Sequence, residues 1–133
     1  MSPVAARKTK RSHTALVASV AVVVADRTAA KEWYAKKLGL DLVADDDHWI
    51  VVGRKGAGGQ LHLCQRSEAG DGVELEPGPS GILLLLPGDF PKACARLKSA
   101  GVEFSSGPER ASWGWHASVR DPDGNEHSLM PAA

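Results

Sequence analysis

The order of apolar and polar positions along the chain predicts a unit of one strand, one helix and three further strands. The unit opens with an apolar run rich in valine, residues 16–24, which is typical of a strand buried on both faces. A helix is predicted from Asp26 to Gly39, because its apolar residues Ala30, Trp33, Tyr34 and Leu38 recur at helical spacing. Three short strands complete the unit, at residues 40–43, 48–52 and 60–65.

The same order of elements recurs in the second half of the chain. A segment rich in Gly, Pro and Glu, residues 67–80, has no periodicity and is expected to be a linker. Residues 82–86 then form an uninterrupted apolar strand, and a helix is predicted from Asp89 to Gly101. Three more strands follow, at residues 102–104, 115–119 and 126–130. A repeat of this length indicates two copies of one structural module.

The most specific local signal is a turn near the C-terminus. Asp121-Pro122-Asp123-Gly124 separates two short strands, and Pro122 presets the backbone angle that the second position of a turn requires. Gly124 suits the position at which the return strand begins. Residues 113–130 are therefore predicted to form a β-hairpin.

Together, the repeat and the DPDGN turn resemble the vicinal-oxygen-chelate superfamily of glyoxalases, bleomycin-resistance proteins and dioxygenases. The resemblance covers residues 14–130. It implies an α+β fold in which two βαβββ modules form a curled mixed sheet around a cavity, with the helices outside. The organisation expected within one compact domain is a disordered basic arm, a first module, a linker and a second module, at residues 1–13, 14–66, 67–80 and 81–130.

The resemblance also indicates where enzymes of this superfamily hold a divalent metal ion. Carried onto this chain, the four ligand positions are Ser19, His62, Ile82 and Ser128. Only His62 has a side chain that commonly ligates metals, whereas Zn²⁺, Ni²⁺ and Fe²⁺ sites need several nitrogen, sulfur or carboxylate ligands. We therefore expect no metal and no cofactor, and the metal-dependent mechanisms of the superfamily are not supported.

Without a metal, the alternation of side chains along the strands predicts a pocket for an organic ligand. Its lining is expected to be aliphatic with a few hydroxyl, amide and imidazole groups. The same alternation predicts that Leu83 and Leu85 point away from the pocket and pack beneath the helices. Indoles at the rim could stack on a planar ligand. The predicted ligand-binding residues are Ser19, Trp49, Gln60, His62, Ile82, Leu84, Trp113, Trp115, His116, Ser118, Ser128 and Met130.

For several of these residues, a structural role is an alternative to ligand binding. Trp113 and Trp115 could pack a dimer interface, and His62 and His116 could be structural or could form an acid–base pair. Three functions follow from these alternatives. The leading hypothesis is a metal-free protein that sequesters an apolar or aromatic molecule, as antibiotic-resistance proteins of the bleomycin branch do. The alternatives are a glyoxalase-like lyase, isomerase or dioxygenase-family enzyme, and a protein whose cavity is filled by its own side chains.

Composition limits the partners of the protein. The 16 basic and 16 acidic residues cancel, so no net charge favours a nucleic acid or an acidic membrane surface. The apolar run from Ala15 to Ala25 follows basic residues and imitates a signal peptide, but it is too short to span a bilayer. Two cysteines make no disulfide framework, which favours a reducing cytoplasm. We expect a cytoplasmic homodimer that binds a small organic ligand.

Overall fold

The computed structural model describes residues 15, 18–46, 49–56, 59–65 and 78–132. The predicted basic arm and most of the predicted linker lie outside these residues. Eight strands and two helical regions are present in the described residues. Their bounds are β1 Ser19–Val24, α1 Arg27–Lys31, a π-helical segment Glu32–Lys37, β2 Asp41–Asp45, β3 Ile50–Gly53, β4 Gln60–Gln65, β5 Gly78–Leu86, α2 Phe90–Ser99, β6 Glu103–Ala111, β7 Gly114–Arg120 and β8 Asn125–Pro131.

The strands form two sheets of identical topology. The first sheet has the order β1-β4-β3-β2, and the second has the order β5-β8-β7-β6. In each sheet the first strand pairs in parallel with the fourth, and the remaining pairs are antiparallel. The predicted α+β fold of two βαβββ modules is therefore confirmed. Neither sheet closes into a barrel.

Both helices begin at the predicted aspartates. The Asp26 carboxylate accepts hydrogen bonds from the Thr28 and Ala29 amides at 2.9 and 3.2 Å, and the Asp89 carboxylate accepts one from the Lys92 amide at 3.0 Å. Such caps satisfy amide groups that have no partner within the helix. The described chain contains no helix that is long and apolar enough to cross a membrane.

The first helix differs from an ordinary α-helix in its second half. Leu38 N–H donates to the Trp33 carbonyl at 2.9 Å, which is the i→i+5 hydrogen bond of a π-helix. Leu40 N–H donates to the Tyr34 carbonyl at 3.0 Å, across six residues, where the helical region ends. The wider turn buries the large side chains of both Trp33 and Tyr34.

One hydrophobic core joins the two modules. It takes side chains from one face of each sheet, such as Leu63 in β4 and Leu129 in β8, and from both helical regions, such as Tyr34 and Phe90. Burial of one such aliphatic side chain stabilises the fold by about 1.5–3 kcal/mol. Each sheet therefore has a core face and an opposite face. We call the opposite faces of the two sheets the first open face and the second open face.

The predicted side-chain alternation of β5 is wrong by one residue. Leu83 pairs with Ser128 and Leu85 with Met130, so these four side chains share the second open face. Leu83 is 50% exposed and Leu85 is 57% exposed. The intervening side chains, including Leu84, pack against the core instead.

The cause of this error is the connection that follows the strand. One residue separates the end of β1 from the capping Asp26, whereas Pro87 and Gly88 separate the end of β5 from Asp89. Gly88 adopts a φ of 78°, a conformation that favours glycine. The connection after β5 is therefore one residue longer than the connection after β1. If the faces of β5 are assigned by analogy with β1, at the same distance before the capping aspartate, each residue is placed on the wrong face.

The predicted C-terminal hairpin is confirmed. β7 and β8 pair antiparallel, and the Asp121 carboxylate accepts hydrogen bonds from the Asp123 and Asn125 amides, both at 2.9 Å. The Asn125 side-chain amide donates to the Val23 carbonyl at 3.1 Å. The turn of the second module is thereby bound to the first strand of the first module.

Candidate functional site

A cleft of about 330 Å³ lies on the second open face. Leu83 of β5, Ser128 and Met130 of β8, and Ser118 of β7 line it, with Trp113 and His116 at its side. Six of the predicted ligand-binding residues therefore line one cleft, namely Ile82 at its edge together with Trp113, His116, Ser118, Ser128 and Met130. Such a mixture of apolar groups with a few polar ones is typical of a small-molecule site.

Trp113 is the most exposed large apolar residue of the described chain, with 61% of its surface accessible. Its indole stacks on the His116 imidazole, with ring centroids 4.8 Å apart and an interplanar angle of 28°. The imidazole holds one side of the indole while much of the indole surface remains open to solvent. A planar molecule in the cleft could stack on that surface.

The hydroxyl groups of Ser118 and Ser128 provide unused hydrogen-bonding capacity in the cleft. The two residues pair directly between β7 and β8, so their side chains point from the same face. Neither hydroxyl has a hydrogen-bond partner among the residues that the structure describes. Both can therefore donate to or accept from a bound molecule.

The charged groups of the second open face lie outside the cleft lining. The Arg120 guanidinium lies 3.4 Å from the Glu103 carboxylate and 3.7 Å from that of Glu126. Glu109 pairs with His116 across the β6–β7 ladder and is exposed. The lining itself contains no carboxylate, ammonium or guanidinium group among the described residues.

A second polar cluster lies on the first open face. The Ser19 hydroxyl and His62 Nδ1 are 2.8 Å apart. The indole of Trp49, half of which is exposed, packs edge-on against the His62 ring with centroids 5.1 Å apart. Gln60 pairs with Ser19 between β1 and β4, which places its side chain on the same face. Four predicted residues, Ser19, Trp49, Gln60 and His62, therefore share this face.

These residues do not fit a divalent metal site. The four ligand positions that the resemblance indicates lie on both sheets, with Ser19 and His62 on the first and Ile82 and Ser128 on the second, and only His62 commonly ligates metals. Ile82 also packs against the core. Nowhere in the described part of the chain do three His, Cys, Asp or Glu side chains form a group that could hold a metal ion.

Two predicted ligand residues lie on the wrong face for the cleft, and a third only borders it. Leu84 and Trp115 pack against the core, and Ile82 does so at the edge of the cleft. The Trp115 ring lies 6.4 Å from the Phe90 ring and 6.0 Å from the Arg110 guanidinium. Strand alternation explains the position of Trp115, because its neighbour His116 occupies the open face.

Sequence reasoning missed a buried chain of hydrogen bonds that runs beneath the cleft. The Tyr34 hydroxyl lies 2.5 Å from the Asp121 carboxylate and 2.7 Å from His127 Nε2. His127 Nδ1 lies 2.8 Å from the Ser80 hydroxyl, which accepts a hydrogen bond from the Ile82 amide at 3.1 Å. We call Ser80, His127, Tyr34 and Asp121 the relay. No sequence signal marks it, because its members are widely separated along the chain.

The direction of each hydrogen bond in the relay follows from the Asp121 carboxylate, which can only accept. Tyr34 must therefore donate to Asp121, and its oxygen accepts from Nε2–H of His127. Nδ1 of His127 is left as the acceptor for the Ser80 hydroxyl. The relay thus contains a neutral histidine with its proton on Nε2.

Burial and neighbouring charge shift the pKa values of two relay members. Burial lowers the pKa of His127 below its usual value, although the charge of Asp121 opposes this change. Burial, followed by the charge of Asp121, raises the pKa of Tyr34. Both shifts favour the neutral side chains that the hydrogen-bond directions require.

Comparison with known proteins agrees with this geometry. Residues 16–129 match the family described as the Glyoxalase/Bleomycin resistance protein/Dioxygenase superfamily. A structure of a member of that superfamily from Sphaerobacter thermophilus DSM 20745 is 32% identical, with a TM-score of 0.76, and the match covers 88% of this chain and 97% of the other.

Two further relatives match most of the chain. TnmS3, an antibiotic binding protein from Streptomyces sp. CB03234, is 32% identical with a TM-score of 0.68, and the match covers 91% of this chain and 98% of TnmS3. The uncharacterized protein YetH of Bacillus subtilis (strain 168) is 27% identical over 114 residues, which are 82% of this chain and 92% of YetH.

Proposed function

Since this chain belongs to the Glyoxalase/Bleomycin resistance protein/Dioxygenase superfamily, we propose that it is a metal-free protein that sequesters an apolar or aromatic organic molecule. An antibiotic is the class of ligand that the proposal favours. The observation that carries the proposal is the cleft on the second open face, with the exposed indole of Trp113 beside the free hydroxyls of Ser118 and Ser128.

The chemistry of the cleft supports binding rather than catalysis. Stacking on Trp113 and contact with Leu83 and Met130 would provide apolar affinity, while the two serine hydroxyls and His116 would orient polar groups of the ligand. Of the four ligand positions that the resemblance indicates, only His62 has a side chain that commonly ligates metals, so the proposal includes no metal-assisted step. The antibiotic-binding relative TnmS3 supports the same class of function.

The exposed apolar residues support a homodimer as the binding unit. Leu83, Leu85 and Trp113 on the second open face and Trp49 on the first are all at least half exposed. Apolar side chains grouped on one face favour contact with a partner. In the proposed dimer the first open face of one chain covers the second open face of its partner, and each cleft receives residues from both chains.

Titration of intrinsic tryptophan fluorescence with a panel of aromatic antibiotics, including a bleomycin-type glycopeptide, tests the proposal. At least one compound should quench the emission in a saturable manner, with a dissociation constant near or below about 1 μM. Trp113→Leu should weaken that binding at least about tenfold, because a buried stacked indole dominates such contacts. Ser112→Ala, one residue away in the exposed turn, serves as the matched control and should bind normally.

Two results would contradict the proposal. In the first, no compound in the panel changes the emission while an unrelated metabolite binds tightly. In the second, a compound binds equally well to the wild type and to Trp113→Leu, which would place the site away from the cleft.

A further inference from the structure

The leucine run of β5 does not specify its own register. Residues 82–86 are all aliphatic, so a shift of one residue would replace Leu83 and Leu85 on the second open face with other aliphatic side chains. In most strands an alternation of polar and apolar residues penalises such a shift. Among the described strands, β5 is also an edge strand that pairs with β8 alone. Its register must therefore be fixed by something other than the hydrophobic pattern.

An irregularity at the start of the strand fixes the register. Pro79 pairs with Glu126 and Leu83 with Ser128, so four steps along β5 correspond to two steps along β8. The extra residues form a bulge in which Gly81 adopts a φ of 77°. A bulge sets the position of every residue that follows it in the ladder.

The bulge is held by the side chain of Ser80. Its hydroxyl accepts from the Ile82 amide at 3.1 Å and donates to His127 Nδ1 at 2.8 Å. His127 is fully buried, and its other nitrogen donates to Tyr34, which donates in turn to Asp121. The relay therefore connects the bulge to the helix of the first module and to the hairpin turn of the second.

We propose that the relay of Ser80, His127, Tyr34 and Asp121 selects the register of β5 and so decides which leucines face the cleft. With the relay intact, Leu83 and Leu85 occupy the second open face. When the relay is broken, β5 shifts by one residue and Leu84 takes the place of Leu83. The link to ligand binding rests on the proposed function, because it assumes that the cleft is the ligand site.

Thiol accessibility distinguishes the two registers without a ligand. Leu83→Cys and Leu84→Cys would each be made in a Cys64→Ala background, since Cys64 is partly exposed and the remaining Cys94 is buried. Reaction with 4,4′-dithiodipyridine would be followed at pH 7.5. The ratio of the reaction rates at positions 83 and 84 reports which of the two side chains is accessible. The same pair of thiols would be examined with Ser80→Ala and, at the other end of the relay, with Tyr34→Phe.

With the relay intact at pH 7.5, the thiol at position 83 should react roughly tenfold faster than the thiol at position 84. Ser80→Ala and Tyr34→Phe should each reduce this ratio to about one or less. Amide exchange in β8 should stay slow, because a shifted strand still pairs with its neighbour.

The proposal would be overturned if, in Ser80→Ala, the ratio of the thiol reaction rates at positions 83 and 84 stays within about twofold of its value with the relay intact. Equal and fast reaction of both thiols together with fast exchange in β8 would also overturn it, because that result indicates a detached strand. None of these readouts involves the ligand. Failure of the register proposal is therefore distinguishable from failure of the proposed function.

Discussion

The Tyr34 hydroxyl lies 2.7 Å from His127 Nε2, and this contact joins the helix of the first module to the last strand of the second. The same hydroxyl donates to Asp121 in the turn between β7 and β8. All three residues are buried. A hydrogen-bonded cluster at this position stabilises the relative placement of the two sheets, because an unsatisfied polar group in the core is costly.

Tyr34→Phe should therefore destabilise the protein by about 1–3 kcal/mol, since it leaves a buried imidazole N–H and a carboxylate oxygen short of one partner. The free energy of unfolding in urea measures the effect. Glu32→Gln on the same helical region is the matched control, because the Glu32–Lys36 ion pair is exposed to solvent. If Tyr34→Phe lowers the free energy of unfolding no more than the control does, the relay contributes nothing to stability.

The stability of the protein should depend on pH through His127. Its pKa is lowered in the folded state, so below the ordinary value of 6.5 the unfolded chain binds a proton that the folded chain does not. The contribution of His127 to stability should therefore be constant above that pH and decrease as the pH falls below about 6.5. His127→Gln should remove this dependence.

His116→Gln is the control for the pH experiment, because His116 lies on the second open face rather than in the core. This variant should keep the loss of stability at low pH. If His127→Gln and the wild type show the same pH dependence of the unfolding free energy, another group is responsible for it.

Leu85→Glu should dissociate the proposed dimer into monomers. Leu85 is 57% exposed on the second open face, so a carboxylate there is tolerated in an isolated chain. The same carboxylate in an apolar interface would lose its hydration without a partner. Sedimentation equilibrium should give a dimer mass for the wild type and for Lys92→Glu, a charge change on the exposed part of α2. A wild type that sediments as a monomer would contradict the proposed assembly.

The sequence was sufficient to predict the order of elements because each helix and most strands have a local signal. The capping residues Asp26 and Asp89 and the DPDG turn determine where elements begin and end, whatever their tertiary neighbours. The repeat then indicated two modules with the same order of elements. Residues of β7 and β8, such as Ser118 and Ser128, were assigned to the correct face because the hairpin fixes their alternation.

The face of β5 and the relay could not be predicted from the sequence. Five consecutive aliphatic residues contain no alternation, and Pro87 and Gly88 make the connection after β5 one residue longer than the connection after β1. The contact between Tyr34 and His127 joins residues that are 93 positions apart. Such contacts depend on how the two modules pack against each other, and no local pattern in a single sequence predicts that packing.

The most direct test of the central claim is native mass spectrometry of the purified protein combined with metal analysis, before and after addition of the aromatic antibiotics. The predicted result is a dimer that carries an organic molecule, with no stoichiometric metal. Stoichiometric Ni²⁺, Zn²⁺ or Fe²⁺ in a protein that takes up no organic molecule would contradict the claim.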